Sequence, residues 1–126
     1  MSQEYTMHKA YTKFAEEKTQ EAYEEFLFKF FKFAKEMGNA LVPADLNEQG
    51  EMIYPLVHTS DGQYYVVCTH PDELEKHPEK MTIIVYLDNF IVRMLDDDEA
   101  NGICINPYSD YPCFIPKEYV KKSLQG

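Results

Sequence analysis

Histidines, carboxylates and one cysteine gather in three short stretches of this chain, and their types permit chemistry. His70, Asp72 and His77 bracket a short helical segment and could in principle ligate a metal. Two helical turns separate the histidines, a long reach for one ion, and neither Cys-x-x-Cys nor His-Glu-x-x-His is present. Helix-cap histidines are the simpler expectation, so no metal site is assigned. Asp96-Asp97-Asp98-Glu99 offers carboxylates for a divalent cation but lacks the alternating acids and glycine of a calcium loop. A charged helix end explains the run, and acids at a helix C-terminus oppose the dipole, so that helix should end early or meet positive charge. Cys113 lies just before Pro116, where a helix start could lower a thiol pKa. No neighbouring base completes a nucleophile, and a structural cysteine is expected. Ser60 and Asp61 beside His58 read as a hairpin turn. Five scattered glycines give no phosphate loop, and no cofactor is expected.

The charge balance narrows the partners. A formal net charge of −10, with Arg93 the single arginine, argues against nucleic acid, which needs clustered positive charge. The same charge suits solubility or a basic protein partner. No run approaches the ~20 apolar residues of a membrane span, and Lys29, Lys32 and Lys35 interrupt the Phe-rich segment. The three cysteines, Cys68, Cys104 and Cys113, without a signal peptide, point to reduced thiols in a cytoplasm. Cys68 and Cys104 sit in apolar runs, as small buried hydrophobes do.

Organisation changes once, near Gly38. Residues 1–37 contain neither Gly nor Pro and have helical composition. Residues 38–126 alternate β-branched and aromatic runs with turn residues, and the two parts should form one globular domain. Strands are expected at Leu41–Ala44, Met52–His58, Tyr64–Thr69 and Met81–Tyr86, with a turn at Ser60–Gln63. Pro71–Leu74 reads as a short helix capped by Thr69 or His70, and Asp88 as the cap of a helix reaching Asp98. Phe90, Ile91, Met94 and Leu95 share one face of that helix. Near the end, Gly102–Ile105 runs as a strand into an Asn106-Pro107 turn. A second short strand follows, then a helix with Pro116 in its first position.

In the first part, Phe26, Leu27, Phe30, Phe33, Ala34 and Met37 fall within a stripe about 120° wide that should cover a sheet, with Phe31 at its margin. Met7, Ala10, Tyr11 and Phe14 form an earlier stripe that would point the opposite way on a continuous helix. Either the chain breaks near Lys18–Glu21, where Thr19 could cap a second helix, or one helix of ~50 Å offers its first half to another molecule. Phe28 projects into the polar face in either case. Met7, Tyr11, Phe14 and Phe28 are therefore the candidate contacts for self-association through this helical arm.

Four pieces in order carry a resemblance: Ala40-Leu41-Val42-Pro43, Asp61-Gly62 before a strand ending Val67-Cys68-Thr69-His70, Pro71-Asp72-Glu73-Leu74, and Gly102-Ile103-Cys104-Ile105-Asn106-Pro107. From about Ala40 to Leu124 the chain resembles the N-terminal domain of the bacterial enhanced-serine-sensitivity (SseB) proteins. The family usually has Phe-Thr-Ser where Cys68-Thr69-His70 stand. The resemblance implies an α+β fold, a mixed or antiparallel sheet covered by helices, in a bacterial cytoplasm. It implies no reaction and no catalytic residue.

The functional expectation is a non-catalytic interaction or regulatory module, in one version an acidic inhibitor or immunity-type protein for a basic partner. Its contact surface joins Thr69 and His70 to Asn106, Pro107, Tyr108 and Tyr111, since tyrosines in turns make rigid, amphipathic contacts. The rival is a small enzyme or ligand-binding protein using Cys113, His70 or the Asp96–Glu99 carboxylates, which would require those groups to converge in a pocket.

Overall fold

Without Gly or Pro to interrupt it, the first part of the chain forms helix, and in the computed structural model the helix is broken once. The structure describes residues 6–77 and 81–125, so the first five residues of the helical region lie outside the described residues. Helix α1 spans Thr6–Glu17 and α2 spans Gln20–Lys35. Between them Lys18 takes a φ of 54°, and Thr19 turns extended with its side chain accepting the Ala22 N–H at 3.0 Å. The two-helix alternative is the one observed. The break folds both apolar stripes onto one core: Met7, Tyr11 and Phe14 are buried with Ala22, Phe26, Leu27, Phe30, Phe31 and Ala34. Phe14 stacks on Phe26 with ring centroids 5.9 Å apart. Met37, expected on the stripe, lies beyond the last helical turn at positive φ and is exposed.

Among the described residues seven strands and three more helices follow: β1 Asn39–Leu46, β2 Met52–Ile53, β3 Leu56–Thr59, β4 Gly62–Val67, α3 Pro71–Leu74, β5 Met81–Tyr86, α4 Leu87–Asp96, β6 Gly102–Ile105, β7 Cys113–Pro116 and α5 Lys117–Gln125. They make an antiparallel sheet ordered β2-β1-β5 and a mixed sheet ordered β3-β4-β6-β7, with β4 and β6 parallel. The Cys68 N–H donates to the Leu41 carbonyl at 2.8 Å and joins the two sheets. The fold is α+β, with α1 and α2 preceding the sheets and sharing one core with them.

Several boundaries differ from expectation for identifiable reasons. The run Met52–His58 splits at Tyr54-Pro55, because proline has no N–H for a ladder. Pro116 ends β7 instead of starting a helix; it pairs with Gly102 on an edge strand, where its missing donor costs little. Helix α4 starts at Leu87, whose N–H donates to the Gly38 carbonyl at 2.9 Å, and Tyr86 replaces Asp88 at the cap position. Leu87, Phe90, Ile91 and Met94 are its buried face, with Leu95 half-buried. It ends at Asp96, so most of the acidic run lies past the helix.

Candidate functional site

The parallel pair β4/β6 ends where the two strands reach Thr69 and Asn106, and the side chain of Asn106 carries the ladder one step further. Asn106 adopts a left-handed φ of 52°, a conformation Asn tolerates better than most residues. Its N–H donates to the Val67 carbonyl at 2.9 Å. Its Oδ1 accepts the Thr69 N–H at 3.0 Å, and its Nδ2 donates to Thr69 Oγ1 at 2.8 Å. The Asn106 carbonyl accepts from Ser109, from the N–H at 3.1 Å and from the hydroxyl at 2.7 Å. Asn106 is wholly buried and Thr69 nearly so, and these bonds give partners to the Asn106 side chain and to the Thr69 amide and hydroxyl.

Helix α1 is fastened to this corner. His8 Nδ1 lies 2.8 Å from Thr69 Oγ1, which already accepts from Asn106. Thr69 Oγ1 has one proton and two acceptor sites, so it can pair with His8 Nδ1 in either neutral tautomer, as donor when the ring proton is on Nε2 and as acceptor when it is on Nδ1. Burial holds the His8 pKa below its ordinary value, and the neighbouring His70 lowers it further; Glu73 and Asp72 act in the opposite sense. The His8 and His70 rings are 4.8 Å apart. One helical turn on, Tyr11 donates its hydroxyl to the Tyr111 carbonyl at 2.9 Å and lies 2.6 Å from Ser109 Oγ.

The residues expected on a contact surface therefore divide. Thr69 and Asn106 are interior, a correction to their expected place on a binding face: the same hydrogen bonds that shape the turn remove them from solvent. His70 is half-buried and caps α3, its Nδ1 accepting the Asp72 N–H at 3.1 Å. Tyr111 is half-buried, its ring 5.1 Å from that of Phe14. Pro107 is half-buried and Tyr108 is 50% exposed, its ring 4.4 Å from His77. Of the four candidate self-association residues, Met7, Tyr11 and Phe14 are committed to this chain's own core, and Phe28 stands out at 70% exposure.

The groups offered for chemistry are spread apart. Cys68, Cys104 and Cys113 are all buried, and burial pushes each thiol up to about 12. Cys113 thus packs in the core, with no helix start lowering its pKa. Cys68 Sγ lies 3.6 Å from His77 Nε2. In the acidic run Asp97 is structural: Oδ1 accepts the Glu99 N–H at 3.0 Å and Oδ2 the Tyr65 hydroxyl at 2.9 Å. The Glu99 amide, then the Tyr65 hydroxyl, hold its carboxyl below the usual range. The positive charge expected near this helix end is Lys117, whose Nζ donates to the Asp97 carbonyl at 2.6 Å. Among the described residues no group of three or more His, Cys, Asp or Glu side chains is placed to hold a metal ion. A cavity of about 20 Å³ beside Thr69, walled by Met7, Phe30 and Val67, has room for about one water.

Sequence reasoning missed His8 and Ser109. The available signal for His8 was its place beside Met7 and one turn before Tyr11, a polar residue bordering an apolar stripe. Ser109 carried none beyond lying in a turn.

Fold and corner together define an α+β domain of two small sheets under a helical layer, pinned by a buried Asn–Thr pair. The chain belongs to the SseB family: the family model described as the SseB protein N-terminal domain matches residues 7–122. The match takes in α1 and α2, which the resemblance from Ala40 onward left out and which the shared core makes part of the same unit. No curated protein and no solved structure matches the chain significantly. Among the described residues no helix is long and apolar enough to cross a membrane.

Proposed function

We propose that this domain is a non-catalytic interaction module that docks a basic protein partner on the face formed by α3 and the turn after Asn106. The observation that carries this reading is Tyr108: a half-exposed aromatic held against His77, on a turn whose conformation is fixed from inside by Asn106. A side chain presented without freedom to lose is the kind that contributes most to an interface. Exposed Asp72 on α3, Glu75 just past its end and Asp110 on the turn outnumber the exposed Lys76, so the face is acidic as well as aromatic. With a net charge of −10 behind it, such a face attracts cationic surfaces. An inhibitor or immunity-type role, in which the domain covers a basic target, is the specific form we favour. Three unpaired, buried thiols suit a reducing bacterial cytoplasm.

The test is photo-crosslinking from position 108 in the source cell, followed by purification of the captured protein and titration against wild-type domain. Tyr108→Ala with Asp110→Lys should weaken the complex by about a hundredfold while leaving the unfolding midpoint unchanged. Tyr111 is unsuitable for this test because its ring packs on Phe14. A partner that binds this variant as tightly as wild type, or that presents an acidic surface, would exclude the reading.

A further inference from the structure

Phe28, the one phenylalanine that fits neither apolar stripe, stands at the rim of a groove of about 380 Å³ between α2 and α5. Its floor is rigid: Phe31 is buried and stacks on Tyr119, ring centroids 6.0 Å apart. Phe28 and Tyr119 leave 70% and 38% of their surfaces open above it. The charged lining is Lys32, Lys35 and Glu36, and among the described residues neither lysine is in an ion pair. The groove is thus locally positive on a chain of net charge −10, opposite in sign to the Tyr108 face. With Glu36 offsetting one lysine, the lining carries about one net positive charge, which still exceeds the half-charge of the α2 C-terminus beneath it.

We propose that this groove, apart from the Tyr108 face, receives a short amphipathic helix of a partner protein. Its apolar side chains at i, i+4 and i+7 lie on Phe28, Phe31 and Tyr119, and a few carboxylates face Lys32 and Lys35. The α2 lining from Leu27 to Glu36 is about 14 Å long, the length over which such a helix sets three anchors. Charge decides the occupant. A second copy of this chain, or any strongly acidic protein, would meet ten net negative charges on approach, whereas a segment with a few acids gains the local attraction alone.

The probes are labelled helical peptides of about 14 residues with Leu or Phe at the anchor positions, about three Glu placed to face Lys32 and Lys35, and Ala or Gln elsewhere, against versions with Lys or Gln in place of Glu. Fluorescence anisotropy should show saturable binding of the Glu peptide, about tenfold tighter than the Lys peptide. Lys32→Glu with Lys35→Glu should reverse that order. Phe28→Ala should weaken the Glu peptide about tenfold and, at an exposed site, leave thermal unfolding unmoved. Tyr108→Ala should leave peptide binding intact, which separates this site from the first. Absence of saturable binding, equal or tighter binding of the Lys peptide, or indifference to Phe28→Ala overturns the proposal. Sedimentation showing a dimer that Phe28→Ala dissolves assigns the groove to a second copy and overturns it too.

Discussion

Asn106 and Thr69 grip each other twice, the Thr69 amide donating to Asn106 Oδ1 at 3.0 Å and Asn106 Nδ2 donating to Thr69 Oγ1 at 2.8 Å. The pair closes the ends of β4 and β6, strands 37 residues apart in their hydrogen-bonded positions, and both residues are buried. Asn106→Ala should cost about 3 kcal/mol, because the buried Thr69 N–H loses its acceptor, Thr69 Oγ1 loses the Nδ2 donor, and the left-handed φ loses a tolerant residue. Thr69→Val should cost about 1–3 kcal/mol, leaving the Asn106 amide without its acceptor, while Thr69→Ser stays within about 1 kcal/mol. Urea unfolding of the singles and the Asn106→Ala, Thr69→Val double measures the coupling; strict additivity would show that the pair contributes nothing jointly.

The His8 contact makes stability depend on pH. His8 binds a proton less readily in the folded chain than in the unfolded one, since burial and His70 both lower its pKa from 6.5. Unfolded protein therefore binds more protons as pH drops, so the contribution is complete above 6.5 and is lost as pH falls through the lowered folded value. Urea midpoints should fall between about pH 7.5 and pH 5.5, and His8→Asn should flatten that change. An unchanged slope in the variant would show that His8 does not carry the pH dependence.

Two glycines with positive φ should respond differently to alanine. At Gly102, φ 155°, an added Cβ would overlap the Ile115 carbonyl oxygen across the β6/β7 ladder. At Gly50, φ 80°, the Cβ would meet nothing within 4 Å. Gly50→Ala should cost about 1–2 kcal/mol of backbone strain, and Gly102→Ala at least about 2 kcal/mol more, since backbone must shift. Equal costs, measured by thermal melts, would mean that β7 yields freely.

The thiols should behave as core. With each pushed up to about 12, a thiol reagent near neutral pH should label none of Cys68, Cys104 and Cys113 in folded protein and all three after denaturation. Because unfolded thiols ionise near 9, the same burial predicts stability falling as pH rises past 9 toward 12. Rapid labelling of Cys113 alone, followed by mass spectrometry, would restore it as a candidate nucleophile.

Much of this was readable in the chain because its cause is local. The spacing of Phe26, Leu27, Phe30 and Ala34 fixes a helical face within a few residues, and the alternation of Met81–Tyr86 and the Asn106-Pro107 stop act over similar distances. The four sequence pieces that carry the SseB resemblance lie within such elements. Thr19 was also visible as a cap, yet whether it acted as one depended on what α1 could pack against. The short range of these signals is also why boundaries slipped at Pro55 and Pro116: proline forbids a donor, and only the neighbouring strand decides whether a donor was needed.

What the tertiary structure alone decided is which polar residues went inside. His8 reaches Thr69 across 61 residues and Tyr11 reaches Ser109 across 98, contacts that no periodicity encodes. Within the most specific stretch of the sequence, Gly102 to Pro107, Asn106 was expected on a contact face because Asn and Pro favour turns. Folding made Asn106 interior, since it finds in Thr69 the partners that water would otherwise supply. Phe28 and Tyr119 came to share a groove for the converse reason, that α5 packs beside α2 and, among the described residues, leaves both rings part-exposed.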